Sequence, residues 1–138
     1  NLRKLLGNMK IFGIGTDIVS IKRIKKSLKL HGSKFKKRVF TNKEIKYCEK
    51  KNNPSAFFAK RFAAKEALSK AIGIGISKGL NLRDIEVLND YNGKPSIQLN
   101  GKAKIIVKKK INNKKYNVHL SLSDDEPWAV ATVIVSYR

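Results

Sequence analysis

Across 138 residues, 31 Lys and Arg face 10 Asp and Glu, a formal net charge of +21. A chain of this length can bury about two thirds of its unfolded surface in one core, so a single domain is expected. No apolar run approaches the ~20 residues of a membrane helix, and the lone cysteine, Cys48, can form neither an internal disulfide nor a zinc cluster, which makes a reducing compartment the default.

The charge predicts attraction to polyanions or acidic proteins, but does not choose among nucleic acid, anionic membrane, acidic protein and phosphorylated ligand. Runs such as KKNN and INNKK also fit plain compositional bias. Residues 1–8, NLRKLLGN, precede Met9 and read as the remnant of a longer basic extension of the transit-peptide kind, with the domain proper over 9–138.

KIFGIGTDIV, rich in Ile, Val and Phe, predicts a buried strand ending near Asp17, with two glycines that let other backbone approach closely. From Ser20 the apolar period changes: Ile21, Ile24 and Leu28 recur at helical spacing among lysines, giving an amphipathic helix that Gly32 should terminate. The basic stretch KFKKRVF follows, and Thr41 with Glu44 three residues later forms a capping box for a short helix over about 42–50.

Pro54 and Ser55 open a long helix that Gly73 and Gly75 end. DIEVLND and KPSIQL bracket YNGK, an Asn-Gly hairpin signal. GKAKIIVKKKI predicts a small helix; NVHLSLS and WAVATVIVSY predict two strands joined by an Asp-Asp-Glu-Pro turn. Strand, helices, then paired strands around another helix make an α+β domain.

The ten carboxylates separate by context. Glu44 caps a helix, Glu49 faces lysines, Asp84, Glu86 and Asp90 border the hairpin, and Asp124, Asp125 and Glu126 share a turn. Asp17 ends a buried strand and Glu66 rises from an apolar helix, so both need a cation, a hydrogen bond or a catalytic task.

Glu66 and Lys70 are four residues apart on one helix face, which by spacing fits a surface ion pair as well as a carboxylate for metal or proton beside a phosphate-binding lysine. Asp17 fits a strand-end carboxylate accepting backbone N–H bonds as well as a metal ligand. Converging in a basic cleft, the two would suit Mg²⁺. His119 on a strand and Cys48 in a short helix read as structural, and no Ser, His and Asp set forms a nucleophile elbow.

IFGIGTDIVSIKRI, FFAKRFAAKEALSKAIGIGI, NGKP and HLSLSDDEPWAVATVIV, in this order, resemble holo-acyl-carrier-protein synthase, the small phosphopantetheinyl transferase family, over about Lys10 to Val135. The specific motifs are G-x-D-I at Gly15 to Ile18 and R-F-A-A-K-E-A-x-S-K-A at Arg61 to Ala71. The resemblance implies an antiparallel sheet packed on a long helix, trimers with sites between subunits, and Mg²⁺-dependent transfer of the 4′-phosphopantetheine arm of coenzyme A to a serine of apo acyl carrier protein.

By the same resemblance Asp17 and Glu66 bind the metal, Glu66 also helps remove the serine proton, and Lys70 meets the leaving phosphate. Arg61, Lys65, Lys94, Pro95 and His119 would hold the nucleotide, and Arg23, Lys34 and Arg38 would dock the acidic carrier. Many relatives carry a second histidine where this chain has Asp124, which puts any second-histidine role in doubt. A plastid-type organelle and the cytoplasm both fit as its location.

The runner-up reading is a basic RNA- or ribosome-binding domain. Against it, Phe57, Phe58 and Phe62 sit among alanines, not interleaved with basic residues as stacking platforms.

Overall fold

The computed structural model describes residues 7–138 together with Leu2. Most of the expected extension over 1–8 therefore lies outside the described residues. Strand β1 (Lys10–Ser20) leads into helices α1 (Ile21–Val39), α2 (Asn42–Glu49) and α3 (Pro54–Ile72). Two short 3-10 turns, Ile76–Lys78 and Leu82–Asp84, precede the hairpin β2 (Ile85–Asn89) and β3 (Pro95–Leu99). Helix α4 (Gly101–Lys110) and strands β4 (Tyr116–Asp125) and β5 (Trp128–Tyr137) complete the fold.

The strands form two antiparallel sheets: β1-β5-β4, with the most β-prone segment at its centre, and the separate β2-β3 pair. Alternation dictates the inner face of the larger sheet. Ala129, Ala131, Val133 and Val135 of β5 are buried, and Val118, Leu120 and Leu122 of β4 pack on the core beside them. The other face leaves Ile11, Ile14, Ile18 and Trp128 between 48% and 63% exposed.

Helix α3 is the core's axis. Ala63, Ala64, Ala67, Leu68 and Ala71 are buried along it, and Lys70 is its sole exposed residue. The two β1 glycines make that possible: a Cβ on Gly13 or Gly15 would lie 1.9 Å from the carbonyl oxygen of Ala71 or Ala67. Strand and helix thus meet backbone to backbone, which only glycine on the strand permits.

Three local expectations change. Gly32 breaks the helical backbone (φ 48, ψ −123) without ending the helix, because KFKKRV resumes it after the kink. Asp124 and Asp125 belong to β4, leaving Glu126 and Pro127 as the turn. Glu44, which the sequence marks only as a helix cap, and Glu86, marked only as a border of the hairpin, are both buried. The capping box itself is present, with Glu44 N donating to Thr41 Oγ1 at 3.3 Å and Thr41 N to Glu44 Oε1 at 3.0 Å. No helix among the described residues is long and apolar enough to cross a membrane.

Candidate active site

Asp17 points from the inner face of β1 toward α3, two residues beyond the glycine contact that seats the strand on the helix. Glu66 stands beside it, and both line a cleft of about 240 Å³ with Arg23, Ile24, Phe35 and Phe62. Desolvation first, and then the negative charge of Asp17, push the Glu66 carboxyl above its ordinary range, with Lys70 pulling the other way.

Lys70 Nζ donates to Asp17 Oδ1 at 3.1 Å and to the Thr16 carbonyl at 3.0 Å. Its carboxylate partner is therefore Asp17, not the Glu66 one turn earlier that helical spacing suggests. The cleft holds two carboxylates and the Arg23 side chain of the first turn of α1, and the Lys70 ammonium pairs with one of those carboxylates, Asp17. Beyond the kink, Lys34 and Arg38 lie exposed on α1, four residues apart and so on one face.

The donor set fits a hard divalent cation. Two carboxylates are what Mg²⁺ commonly takes from protein, and the remaining positions go to water and substrate phosphate. Among the described residues no cluster of three or more His, Cys, Asp or Glu exists, so a closed all-protein cage is not built here.

A second group forms on another side of α3. Arg61 is five residues before Glu66, about 140° around the helix. Its guanidinium stacks 4.3 Å from the Tyr47 ring centre and donates through an NH2 proton to Asn89 Oδ1. Asn89 Nδ2 in turn donates to the Gly93 carbonyl at 3.0 Å, in the turn that presents Lys94 and Pro95. Asp90 braces that turn by accepting from Asn92 N and Lys94 N, both at 2.9 Å. Arg61 Nε is buried and lacks a protein partner, an unmet donor beside the hairpin.

Lys65 does not join that group as a free cation. Its Nζ is fully buried and donates to Glu44 Oε1 at 2.7 Å, to the Leu82 carbonyl at 3.0 Å and to the Ile85 carbonyl. An ammonium has three protons, and all three are used inside the subunit. The expectation that Lys65 grips nucleotide is therefore corrected: the capping glutamate, itself 1% exposed, has claimed it.

His119 faces away from α3 on β4, with Nε2 3.0 Å from Ser136 Oγ. Within one subunit it does not reach the Asp17–Glu66 cleft. Asp124 pairs with Lys60 at 2.9 Å, an ion pair at the position where the family resemblance led to a second histidine being considered. Burial pushes the Cys48 thiol up to about 11, so it stays protonated and inert, in keeping with a packing role. Tyr47 and Asn89 escaped the sequence reading because only the packing of α2 and the hairpin against α3 brings them to Arg61.

The model of the 4′-phosphopantetheinyl transferase superfamily matches residues 13–133. The holo-[acyl-carrier-protein] synthase of Pelagibacter ubique is 51% identical over 94% of this chain and all of its own length. That of Bartonella bacilliformis is 46% identical over 91% of this chain and 95% of its own. These bacterial-type relatives lend no support to a plastid location.

Solved structures agree. The Neisseria meningitidis holo-[acyl-carrier-protein] synthase superposes with a TM-score of 0.79 at 39% identity, covering 91% of this chain and 98% of its own. The Helicobacter pylori enzyme, in complex with coenzyme A, gives 0.76 at 37%, covering 88% and 98%. Matched along nearly its whole length in sequence and in fold, the chain belongs to the 4′-phosphopantetheinyl transferase superfamily.

Proposed function

We propose that this protein is a holo-[acyl-carrier-protein] synthase that moves the 4′-phosphopantetheine arm of coenzyme A onto a serine of apo acyl carrier protein. The observation that carries the reading is that Asp17 and Glu66 line one cleft and Lys70 pairs with Asp17, all three from the two motifs most specific to the family. The serine oxygen attacks the phosphorus that bears the arm. The bond from that phosphorus to the bridging oxygen breaks, and adenosine 3′,5′-bisphosphate leaves with the oxygen.

Each cleft residue has a task in that step. Glu66, raised toward neutrality by burial and by Asp17, is suited to accept the serine proton directly or through a water. Lys70, half exposed on the cleft edge, neutralises charge that develops on the leaving phosphate. Asp17 and Glu66 would hold Mg²⁺, and what the ion supplies when bound is neutralisation of the pyrophosphate. Arg23 at the mouth, with Lys34 and Arg38, would receive the acidic carrier.

Arg61, the Lys94–Pro95 turn and His119 would hold the nucleotide, with the unmet Arg61 Nε as the donor awaiting an anion. These groups and the Asp17–Glu66 cleft lie on different sides of one subunit, which favours a site completed by a neighbour. The exposed outer sheet face carrying Ile11, Ile14, Ile18 and Trp128 supplies the apolar surface such an assembly would bury, and the family resemblance gives its number as three.

The test is incubation with coenzyme A, Mg²⁺ and apo acyl carrier protein, followed by mass spectrometry. One added phosphopantetheine arm per carrier is expected, and no transfer under titration of metal and both substrates would overturn the reading.

A further inference from the structure

The Glu44–Lys65 pair joins four pieces of the fold at one buried point. Glu44 Oε1 accepts from Thr41 N and from Lys65 Nζ, and Oε2 accepts from Val87 N at 3.2 Å. Lys65 adds the carbonyls of Leu82 and Ile85. Helices α2 and α3, the 3-10 turn before the hairpin, and strand β2 itself are thereby pinned together.

Such a pair is a poor device for stability alone. A buried ion pair loses so much hydration that apolar residues of similar volume often serve as well. Burial indeed pulls the Lys65 ammonium below its ordinary range, with Glu44 holding it up. What apolar contacts lack is direction, and directed bonds matter here because the hairpin is a two-stranded sheet apart from the main one. An isolated pair of strands is marginal, so its height along α3 depends on what clamps it.

The clamp lies between the two functional groups. Lys65 immediately precedes Glu66, whereas Val87, held by Glu44, is two residues from Asn89, which grips Arg61 and the Lys94 turn. Arg61 and Lys65 lie one turn apart on the same face of α3, so the hairpin is tied to that face at both ends of β2.

We propose that Glu44 and Lys65 are positioning residues that fix the β2–β3 hairpin along α3, and with it the placement of the nucleotide-holding group formed by Arg61, Asn89 and the Lys94 turn. This rests on the transferase reading above. Neither residue touches substrate; each acts by holding Asn89, Arg61 and the Lys94 turn where coenzyme A must be met.

The test is steady-state transfer with Lys65→Met, Glu44→Gln and the double variant, each assayed well below its own melting temperature. Displacement of a holding group by about 1 Å is expected to raise KM for coenzyme A roughly tenfold or more in all three. KM for carrier and kcat should change less than about twofold. The double variant, relieved of an unpaired buried charge, should recover melting temperature without recovering KM for coenzyme A.

A merely structural role would lower the folded fraction, and hence apparent kcat, and leave both KM values alone. Unchanged KM for coenzyme A in any folded variant overturns the positioning role. Absence of transfer by the wild-type protein overturns the functional reading instead, so the two failures are distinct.

Discussion

Lys70 donates to Asp17 Oδ1 at 3.1 Å and leaves Glu66, its i−4 neighbour, without that partner. The ammonium therefore sits against a carboxylate that a divalent cation would need. Lys70→Met should raise Mn²⁺ affinity roughly two- to fivefold, a modest gain because the pair is half exposed and screened. The same variant should lower kcat roughly a hundredfold by removing the cation that would neutralise the leaving phosphate. Calorimetric Mn²⁺ titration checks the first; weaker binding in the variant would show that Lys70 does not compete at Asp17.

Glu66 ties stability to pH. Burial and Asp17 raise its carboxyl above the ordinary 4.5, so the folded metal-free protein holds this proton more tightly than the unfolded chain does. That contribution is fully present below the ordinary value and is lost as pH rises through the raised one. Glu66→Gln should then be more thermostable than wild type at about pH 7 and lose that advantage near pH 4. Its transfer activity should fall roughly a hundredfold or more. A melting-temperature gap that stays constant with pH would refute the assignment.

Gly15→Ala drives a methyl into the Ala67 carbonyl, 1.9 Å from the new carbon. Relief requires β1 to lift from α3, carrying Asp17 with it. A loss of roughly 1–3 kcal/mol is expected, read as a fall in melting temperature. Activity should drop by more than the folded fraction accounts for, because Asp17 moves.

Ile14→Lys together with Ile18→Lys places two charges on the exposed outer face of the sheet. Light scattering should show a trimer for wild type and smaller species for the variant, with transfer activity lost on dissociation. A fully active monomer would exclude a site shared between subunits.

Arg23→Glu reverses a charge at the cleft mouth. KM for the carrier should rise roughly tenfold and grow less sensitive to salt, with coenzyme A binding almost intact. Carrier kinetics measured at two ionic strengths decide it; an unchanged KM removes this surface as the dock.

Much of the architecture was legible along the chain, because its signals are local. The period of Ile21, Ile24 and Leu28, the Thr41–Glu44 box, Pro54 at a helix start and the Asn92–Gly93 turn each act within a few residues. The glycine pair of GIGTD also announced a close approach, though not to which backbone. Gly32 misled because a glycine marks where a helix can break, while the apolar residues after it decide whether it resumes.

By itself the sequence determined the α+β order of elements, the charge that suits an acidic partner, and two motifs whose residue types suit phosphoryl chemistry. Only the tertiary structure decided which charges meet. It gave Lys70 to Asp17, Lys65 to Glu44 and Arg61 to Asn89, pairs separated by 53, 21 and 28 residues. The physical reason is that a carboxylate's partner is set by distance and desolvation. Both arise when α3 is packed between the sheet and the hairpin, which no spacing along one element encodes.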